Sequence, residues 1–270
     1  MSLRALAAVL LASALSGCFV TPTQESPVLV DLTADYLTQK NFRGMVQNEK
    51  GAALGSMEVN LPLKDQGELA IGSEASMDLH NDTGDAWFPD GHAGEVTESE
   101  LTAKYSNEWG GFDWTFGIDN YNLMNGAEFA AGTAFGARGP TTELFLSVSH
   151  AGFVVPALSI HYDIDEVEDV YVRGSVGKVF ALSEAWSLDA EIGLGWSGED
   201  MSLWNYGLAE SGFADLGASL QLAYALSDRT TLRALVAGST IVDSTLSDWF
   251  DLIGIDSDNL WAGLGATWSF

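Results

Sequence analysis

The chain alternates apolar and polar residues along most of its length. The stretch WSLDAEIGLGW shows the pattern clearly, because its even-numbered positions are apolar and its odd-numbered positions are polar or glycine. A period of two is that of a β-strand whose two faces meet different surroundings. The C-terminal stretch NLWAGLGATWSF repeats the pattern, and about twelve segments between Val28 and Phe270 follow it. The pattern therefore predicts an all-β protein.

The connections between these segments alternate in length. Short connections are predicted at 64–66, 110–111, 150–155, 183–185 and 227–229. Long connections are predicted at 37–50, 81–96, 121–140, 197–213 and 241–258, and only the connection at 165–169 is short for its side. Tight turns at one end and long loops at the other are typical of outer-membrane barrels. We therefore expect a transmembrane antiparallel up-and-down β-barrel of about 12 strands, with short periplasmic turns and long extracellular loops.

Aromatic residues near the ends of the apolar face favour a membrane barrel over a soluble sandwich. In a sandwich the apolar face is buried between two sheets, whereas in a membrane barrel it faces lipid. Trp186 and Trp196 share one face, and the strand between them rises by roughly 33 Å, or about 24 Å along the membrane normal for a tilt of about 45°. This matches the apolar band of about 25 Å between two aromatic girdles. The predicted girdle comprises Tyr36, Trp109, Tyr162, Trp186, Trp196, Tyr224, Trp268 and Phe270.

The N-terminal segment has the features of an export signal. MSLRALAAVLLASALSGC joins a short region carrying Arg4 to an apolar stretch and then to Leu-Ser-Gly-Cys, which resembles a bacterial lipobox. We expect a lipoprotein-type signal peptide at 1–17, an acylated Cys18, a tether at 18–27 and the barrel at 28–270. A plain secretory signal with an unmodified Cys18 is the alternative. Either way the protein is expected to leave the cytoplasm, and for a barrel the expected location is the outer membrane of a Gram-negative bacterium.

The end of the chain indicates the expected partners. Phe270 follows alternating apolar positions, which is the form of the C-terminal signal read by the barrel assembly machinery. We expect contacts with that machinery and with outer-membrane lipid. A soluble periplasmic β-sandwich held only by the acyl chain stays open as a second fold. A lone cysteine, Cys18, excludes an intramolecular disulfide framework.

The chain is strongly acidic, with 38 Asp and Glu against 11 Lys and Arg and a formal net charge of −27. Such a surface repels nucleic acid, so no nucleic-acid partner is expected. If the apolar positions face lipid, the alternate positions face the lumen. The predicted pore-lining residues are Asp31, Asp35, Glu58, Glu68, Glu74, Asp78, Glu98, Glu100, Lys104, Glu108, Asp113, Asp119, Glu143, His161, Asp163, Arg173, Asp189, Glu191, Asp215 and Arg233.

An acidic lining concentrates cations and excludes anions. About twelve strands give a bore between that of eight strands, which side chains fill, and that of sixteen, which stays open. We therefore expect a narrow porin-like channel for passive diffusion of small cationic or neutral solutes. The alternative is a non-conducting, surface-exposed structural or adhesive lipoprotein barrel whose inward acids only solvate the interior.

No enzymatic chemistry, cofactor or metal is expected. Ser159, His161 and Asp163 share one strand face, but residues two apart lie roughly 6.6 Å from each other, beyond direct hydrogen-bond reach. Two acidic loop segments, with Asp85, Asp90 and His92 in one and Asp251, Asp256 and Asp258 in the other, lack the spacing of a calcium loop.

The stretch VDLTADYLTQKNFRGMVQNEKGAALGSMEVNLPL resembles the opening hairpin of the TorF-type porins, a family of small uncharacterised outer-membrane β-barrels. The shared features are a strand ending in an acidic-Tyr pair, the sequence Asn41-Phe42-Arg43-Gly44 and a second strand. TTELFLSVS, followed by PALSIHYDID, is similar in style to the same family. The resemblance implies a small-solute channel without catalytic residues.

Overall fold

Twelve antiparallel strands close into one barrel, as the alternation predicts. The computed structural model describes residues 28–81, 93–124 and 140–270. The barrel strands are β1 and β4 to β14, while β2 and β3 pair only with each other. The strands are β1 (Leu29–Leu37), β2 (Lys40–Phe42), β3 (Met45–Asn48), β4 (Ala52–Pro62), β5 (Glu68–Asp78), β6 (Val96–Trp109), β7 (Phe112–Leu123), β8 (Thr141–His150), β9 (Val155–Asp163), β10 (Val170–Ala181), β11 (Trp186–Ser197), β12 (Gly212–Ser227), β13 (Thr230–Ile241) and β14 (Asp258–Ser269). Two helices, α1 (Glu199–Tyr206) and α2 (Ser244–Ile253), lie in long connections.

The first and last barrel strands pair with each other and remove the free edges. The β1–β14 register runs from Asp31 opposite Ser269 to Leu37 opposite Gly263. Reciprocal backbone hydrogen bonds of 3.2 and 2.9 Å between Val30 and Phe270 extend it to the C-terminus. A sheet in lipid must satisfy its backbone donors and acceptors internally, and closure achieves this.

The two ends of the barrel differ as the connection lengths predict. At the turn end, Gly110 and Gly111 join β6 to β7 with φ of 65° and 82°, the left-handed values that a two-residue hairpin turn requires. The β2–β3 hairpin, α1 and α2 all lie at the opposite end, here called the loop end. The sequence pattern predicts long loops there and misses these three elements.

The two helices begin and end at identifiable capping groups. The Asp243 carboxylate accepts hydrogen bonds from the backbone N–H of Thr245 and Leu246 at the start of α2. In α1 the N-cap is Gly198, which has no side chain, so Asp169 from the β9–β10 connection accepts from Asp200 N at 2.9 Å and Met201 N at 3.0 Å. Asp169 therefore both caps α1 and ties it to the barrel rim.

The apolar face of the strands points away from the barrel axis. The hairpin at 40–48 approaches six barrel strands, at Ser76, Glu98, Glu143, Tyr171, Asp215 and Asn259. One short segment can reach six strands of a closed barrel only from inside, so these residues mark the inner face. On the same strands the opposite parity carries exposed apolar side chains, among them Ile71, Leu101, Leu146, Val176, Leu220 and Leu264.

This polarity excludes the sandwich alternative, in which Ile192 and Leu264 would be sealed between two sheets. Both side chains are more than half exposed on the outside of a single closed sheet. None of the helices in the described ranges is long and apolar enough to cross a membrane.

Aromatic side chains lie at both ends of the apolar outer face. Near the turn end, Trp186 and Tyr224 are directly opposite each other, with ring centroids 4.6 Å apart. Trp109, Trp268 and Phe270 are exposed at the same end, and Tyr36, Tyr162 and Trp196 lie towards the loop end. Contact of this set with the membrane interface stays a prediction.

A matched pair of arginine substitutions tests the polarity. Leu220 is half exposed on the outer face, and its neighbour Ser219 faces the lumen opposite Glu191. We expect Leu220→Arg to lower the free energy of unfolding by about 2–4 kcal/mol, the cost of arginine near the bilayer midplane. Ser219→Arg should cost far less. Urea titration of the barrel refolded in lipid vesicles, followed by tryptophan fluorescence, measures both, and equal losses would contradict the assignment of faces.

Candidate functional site

The β2–β3 hairpin crosses the barrel interior at the loop end, and we call residues 40–48 the lumen hairpin. Lys40 Nζ lies 3.0 Å from Glu98 Oε1 on β6 and donates to Ser76 Oγ on β5 at 3.1 Å. At its tip, Gly44 meets Asp215 on β12, which is opposite β6 in the barrel, and Asn259 Nδ2 on β14 donates to the Gly44 carbonyl at 3.3 Å. The lumen hairpin therefore spans the interior from one wall to the other.

The tip of the lumen hairpin is a two-residue turn pressed against the wall. Arg43 and Gly44 have φ of 49° and 81°, as the tight turn between β2 and β3 requires. A Cβ at Gly44 would lie 2.6 Å from Asp215 Cβ and 3.2 Å from Ile241 Cδ1. Glycine is needed here both for its positive φ and for the close approach to β12.

Arg43 makes the central contact of the lumen hairpin. Its guanidinium donates to both Glu143 carboxylate oxygens, at 2.8 and 2.6 Å, and their side chains are only 6% and 2% exposed. The guanidinium carbon also lies 4.6 Å from the ring centroid of Phe42 and 4.5 Å from that of Tyr171. A bidentate pair between two aromatic faces fixes both distance and orientation.

Glu143 also keeps Arg43 charged. Burial by itself lowers the pKa of the Arg43 guanidinium, but the negative charge of Glu143 and their hydrogen bonds raise it above its ordinary value. On the other side of the pair, His161 Nδ1 lies 3.3 Å from Glu143 Oε2. The carboxylate is thus shared between the hairpin and β9.

An apolar cluster covers the loop-end side of the lumen hairpin. Met45 packs with the helix residues Tyr206, Leu246 and Phe250 and with two wall residues, and all of these are buried. The Tyr206 hydroxyl donates to the Arg43 carbonyl at 2.9 Å, and burial raises the pKa of that hydroxyl well above its ordinary value, which keeps it a donor. We call α1 and α2 the helical roof. Each large apolar side chain buried there contributes roughly 1.5–3 kcal/mol.

Most ion pairs of the interior fall into a dry group and a hydrated group, while Arg173 also lies 3.4 Å from Asp215, whose side chain is only 1% exposed. At the lumen hairpin, the four side chains of Lys40–Glu98 and Arg43–Glu143 are at most 8% exposed. The pairs Arg233–Asp35, Lys104–Glu58 and Arg173–Glu191, nearer the turn end, are 25–44% exposed. The interior below the hairpin is therefore more accessible to solvent than the contacts of the hairpin itself.

A cavity of about 320 Å³ lies directly beneath the lumen hairpin. Its lining includes Asn41, Arg43, Tyr121, His161, Arg173 and Trp261. This volume is at the low end of the range for small-molecule pockets.

Small residues on the inner face make room for long charged ones. A Cβ at Gly193 would lie 2.5 Å from Arg173 Nη2, and a Cβ at Gly265 would overlap the Asp35 carboxylate. Gly117 gives similar room to Phe145, whose ring stacks on His161 at 5.8 Å. Phe145, the residue that interrupts the alternation in TTELFLSVS, thus faces inward.

The predicted pore-lining residues share the inner face but occupy different environments. Asp35, Glu58, Lys104, Arg173, Glu191 and Arg233 form the hydrated ion pairs, and Asp31 accepts hydrogen bonds from Asn60 and Ser269. Glu68, Glu108 and Asp113 border a recess at the turn end, and Asp189 is exposed. The buried members are Asp78, Glu98, Asp119, Glu143, Asp163 and Asp215. Their part in conduction stays a prediction.

Two of the buried carboxylates organise connections between strands. Asp163 accepts from Thr141 Oγ1 and from the backbone N–H of Asp165 and Val167, which shapes the β9–β10 connection. Asp78 accepts from His80 N at 2.9 Å at the end of β5. Neither side chain has any exposed surface, so neither borders open water.

Three acidic side chains form a patch on β5, β6 and β7. Glu74 is directly opposite Glu100. Thr102 Oγ1 lies 3.1 Å from Glu100 Oε1 and 2.7 Å from Asp119 Oδ1. The arginines of the inner wall, Arg173 and Arg233, are on β10 and β13, so the interior has an acidic side and a more basic side.

The sequence reasoning misses Lys40, Arg43, Tyr171 and the helical roof. One signal was available, since two of only 11 basic residues lie in the short stretch KNFRGMVQN beside an Arg-Gly turn. Nothing local identifies their partners, which are 58 residues away for Lys40 and 100 for Arg43.

The structure does not assemble Ser159, His161 and Asp163 into a relay. His161 faces Glu143, Asp163 is occupied by Thr141 and backbone amides, and no hydrogen bond joins the three within the described residues. No group of three acidic, His or Cys side chains in the described ranges could hold a metal ion. The carboxylates Asp251, Asp256 and Asp258 are among the side chains to which this applies. Outside the described ranges lie Asp85, Asp90 and His92, and also the predicted segments 1–17 and 18–27 with Cys18.

A closed barrel with an apolar outer belt and a charged interior has the fold of the outer-membrane β-barrels. Among solved structures, the chain is similar to the COG4313 outer membrane channel from Pseudomonas putida F1, with a TM-score of 0.54 and 12% identity over 94% of this chain and 99% of that chain. It is also similar to the NanC porin, with a TM-score of 0.49 and 10% identity over 88% and 98% of the two chains. A third similar structure is the KdgM porin in complex with disordered oligogalacturonate, with a TM-score of 0.48 and 10% identity over 90% of this chain and 99% of that chain. No family model and no curated protein matches the chain, so the resemblance to the TorF-type porins stays a prediction.

The buried ion pair can be tested by proteolysis of the lumen hairpin. Glu143→Ala leaves the Arg43 charge buried without its partner, which costs about 3–5 kcal/mol in comparable sites. We expect trypsin to cleave after Arg43 faster in this variant, with cleavage after the exposed Lys50 as the internal reference. The matched control is Glu58→Ala, which removes the partner of Lys104 in the hydrated group. Equal cleavage after Arg43 in both variants would show that the pair does not hold the hairpin.

Proposed function

We propose that the protein is a channel of the Gram-negative outer membrane, through which small cationic or neutral solutes diffuse passively. The observation that carries the proposal is the hydrated, predominantly acidic inner face of a closed barrel with an apolar exterior. Its loop end would face the cell exterior and its turn end the periplasm, as in barrels of this class.

The preference for cations follows from the charges on the inner face. Asp35, Glu58 and Glu191 are partly exposed and only singly paired, and the patch of Glu74, Glu100 and Asp119 adds further acidic groups nearby. A narrow bore with low-dielectric walls focuses such a field and raises the local cation concentration. Anions lose the same free energy on entry that cations gain.

The restriction to small solutes follows from the lumen hairpin. It crosses the interior at the loop end, and the space beneath it is only about 320 Å³. A twelve-strand barrel has little room beside such a hairpin. Solutes of the size of hydrated ions fit this geometry better than oligomers.

A second candidate is a non-conducting structural or adhesive barrel at the cell surface. It is favoured by the same hairpin, because the hairpin and the helical roof occupy the loop end and bury its ion pairs. In that case the exposed parts of the loops bind a partner and the interior only stabilises the barrel.

Reversal potentials in planar bilayers separate the two candidates. Under a KCl gradient we expect the refolded protein to conduct with K⁺ several-fold more permeant than Cl⁻, because the hydrated wall is acidic. Glu58→Gln together with Glu191→Gln should shift the reversal potential towards zero. Asp251→Asn, which removes an exposed acidic group on α2, is the matched control and should leave it unchanged. The absence of any conductance, or a higher permeability to Cl⁻ than to K⁺, would contradict the proposed channel.

A further inference from the structure

The lumen hairpin has two chemically different sides. Towards β12, β13 and the helical roof its contacts are mainly apolar, with Met45 in the cluster around Tyr206, Leu246 and Phe250, alongside the hydrogen bond from the Tyr206 hydroxyl to the Arg43 carbonyl. Towards β5, β6 and β8 its contacts are polar, except that Phe42 packs edge-on against Tyr121 of the intervening β7, with ring centroids 6.0 Å apart. We call this second contact the seam, and its members are Lys40, Arg43, Gln47, Ser76, Glu98 and Glu143.

Water can replace the contacts on one side and not those on the other. Separating the apolar side would expose buried apolar surface, which is unfavourable. Separating the seam would let carboxylates, ammonium and guanidinium groups exchange one set of polar partners for water, and the cavity beneath the hairpin borders Arg43. The seam is therefore the side of the hairpin that opens more easily.

The polar side is also incompletely paired. Both amide atoms of Asn48 and the Oε1 atom of Gln47 are buried without a hydrogen-bond partner among the described residues. Asn48 has no exposed surface and Gln47 is 1% exposed. Buried polar groups without partners disfavour the closed arrangement, and hydration of the seam would satisfy them.

At the seam, the acidic residues of the inner face continue as far as the loop end. Glu98 lies on β6, the strand that carries Glu100, and Glu143 lies on β8 beside the β7 strand of Asp119. Lys40 and Arg43 neutralise these two carboxylates. When the two basic residues leave, a continuous acidic surface joins the hydrated interior to the loop end.

We propose that the seam between the lumen hairpin and the wall of β5, β6 and β8 is the permeation route, that the hairpin stays attached to the helical roof, and that Lys40 and Arg43 determine how often the route is open. This inference rests on the proposed channel and names its gate and its path. Cations pass along the carboxylates that the two basic side chains cover in the closed state.

Paired cysteine substitutions test whether the seam opens, independently of conduction. Ser76 in the seam and Ser202 in the roof are both at most 1% exposed, and each is changed to cysteine in a Cys18→Ser background. A cationic methanethiosulfonate reagent should modify Ser76→Cys slowly and leave Ser202→Cys unmodified. Adding Lys40→Gln and Arg43→Gln should raise the rate at Ser76→Cys on the order of tenfold, the change that about 1.4 kcal/mol makes in an equilibrium.

Single-channel recording of the same chains tests the route itself. The Lys40→Gln, Arg43→Gln double variant should have a higher open probability and a stronger preference for K⁺ than the wild type. Arg229→Gln, which removes an exposed cation in the turn between β12 and β13, is the matched control.

The outcomes separate the gate from the channel. If Ser76→Cys is modified but no variant conducts, the proposal that the seam opens would stand and the proposed channel function would be overturned. Conductance that the double variant does not alter, with Ser76→Cys protected, would retain the channel and overturn the seam as its route. Faster modification at Ser202→Cys than at Ser76→Cys would place the opening in the roof and also overturn the proposal.

Discussion

Closure of the backbone hydrogen-bond network is the constraint from which the rest of this structure follows. In an apolar medium an unpaired strand edge is prohibitively costly, so β1 must pair with β14, through to Val30 and Phe270. Once the sheet is closed, its two faces become an outside and an inside, and the period of two assigns every side chain to one of them. Apolar residues such as Ile192 and Leu264 then lie outside. Most charged residues of the strands then lie on the inner face.

The interior resolves that crowding of charge in two ways. Towards the turn end, pairs such as Asp35 with Arg233 keep contact with water, and Gly265 leaves space for them. Towards the loop end the chain supplies its own counter-charges on the lumen hairpin, where Arg43 and Glu143 pair without water. The basic residues are few, but two of them, Lys40 and Arg43, lie where the dielectric is lowest and each is most effective.

Periodicity predicts the strand number, the closure and the face of each strand residue, because these depend on local alternation and on a topology that membranes permit. It places Glu143, Glu98 and Asp215 correctly on the inner face. It does not predict the lumen hairpin or α1, whose apolar residues are too few to show a period. It also overlooks α2, although Leu246, Trp249, Phe250 and Ile253 follow the i, i+3, i+4, i+7 spacing of an amphipathic helix. Their positions depend on contacts such as that between Arg43 and Tyr206, which are 163 residues apart. Such pairings leave no local signal in one sequence.

The position of the lumen hairpin in the chain has a consequence for biogenesis. The hairpin follows directly after β1, but its tip rests on Tyr206, Asp215 and Asn259, which belong to the last third of the polypeptide. This loop is synthesised before the strands β4 to β14, yet it is among the last segments to find its native contacts. During assembly this segment therefore lacks its native contacts until β12 to β14 have been added. It can dock in the interior only after the barrel has closed.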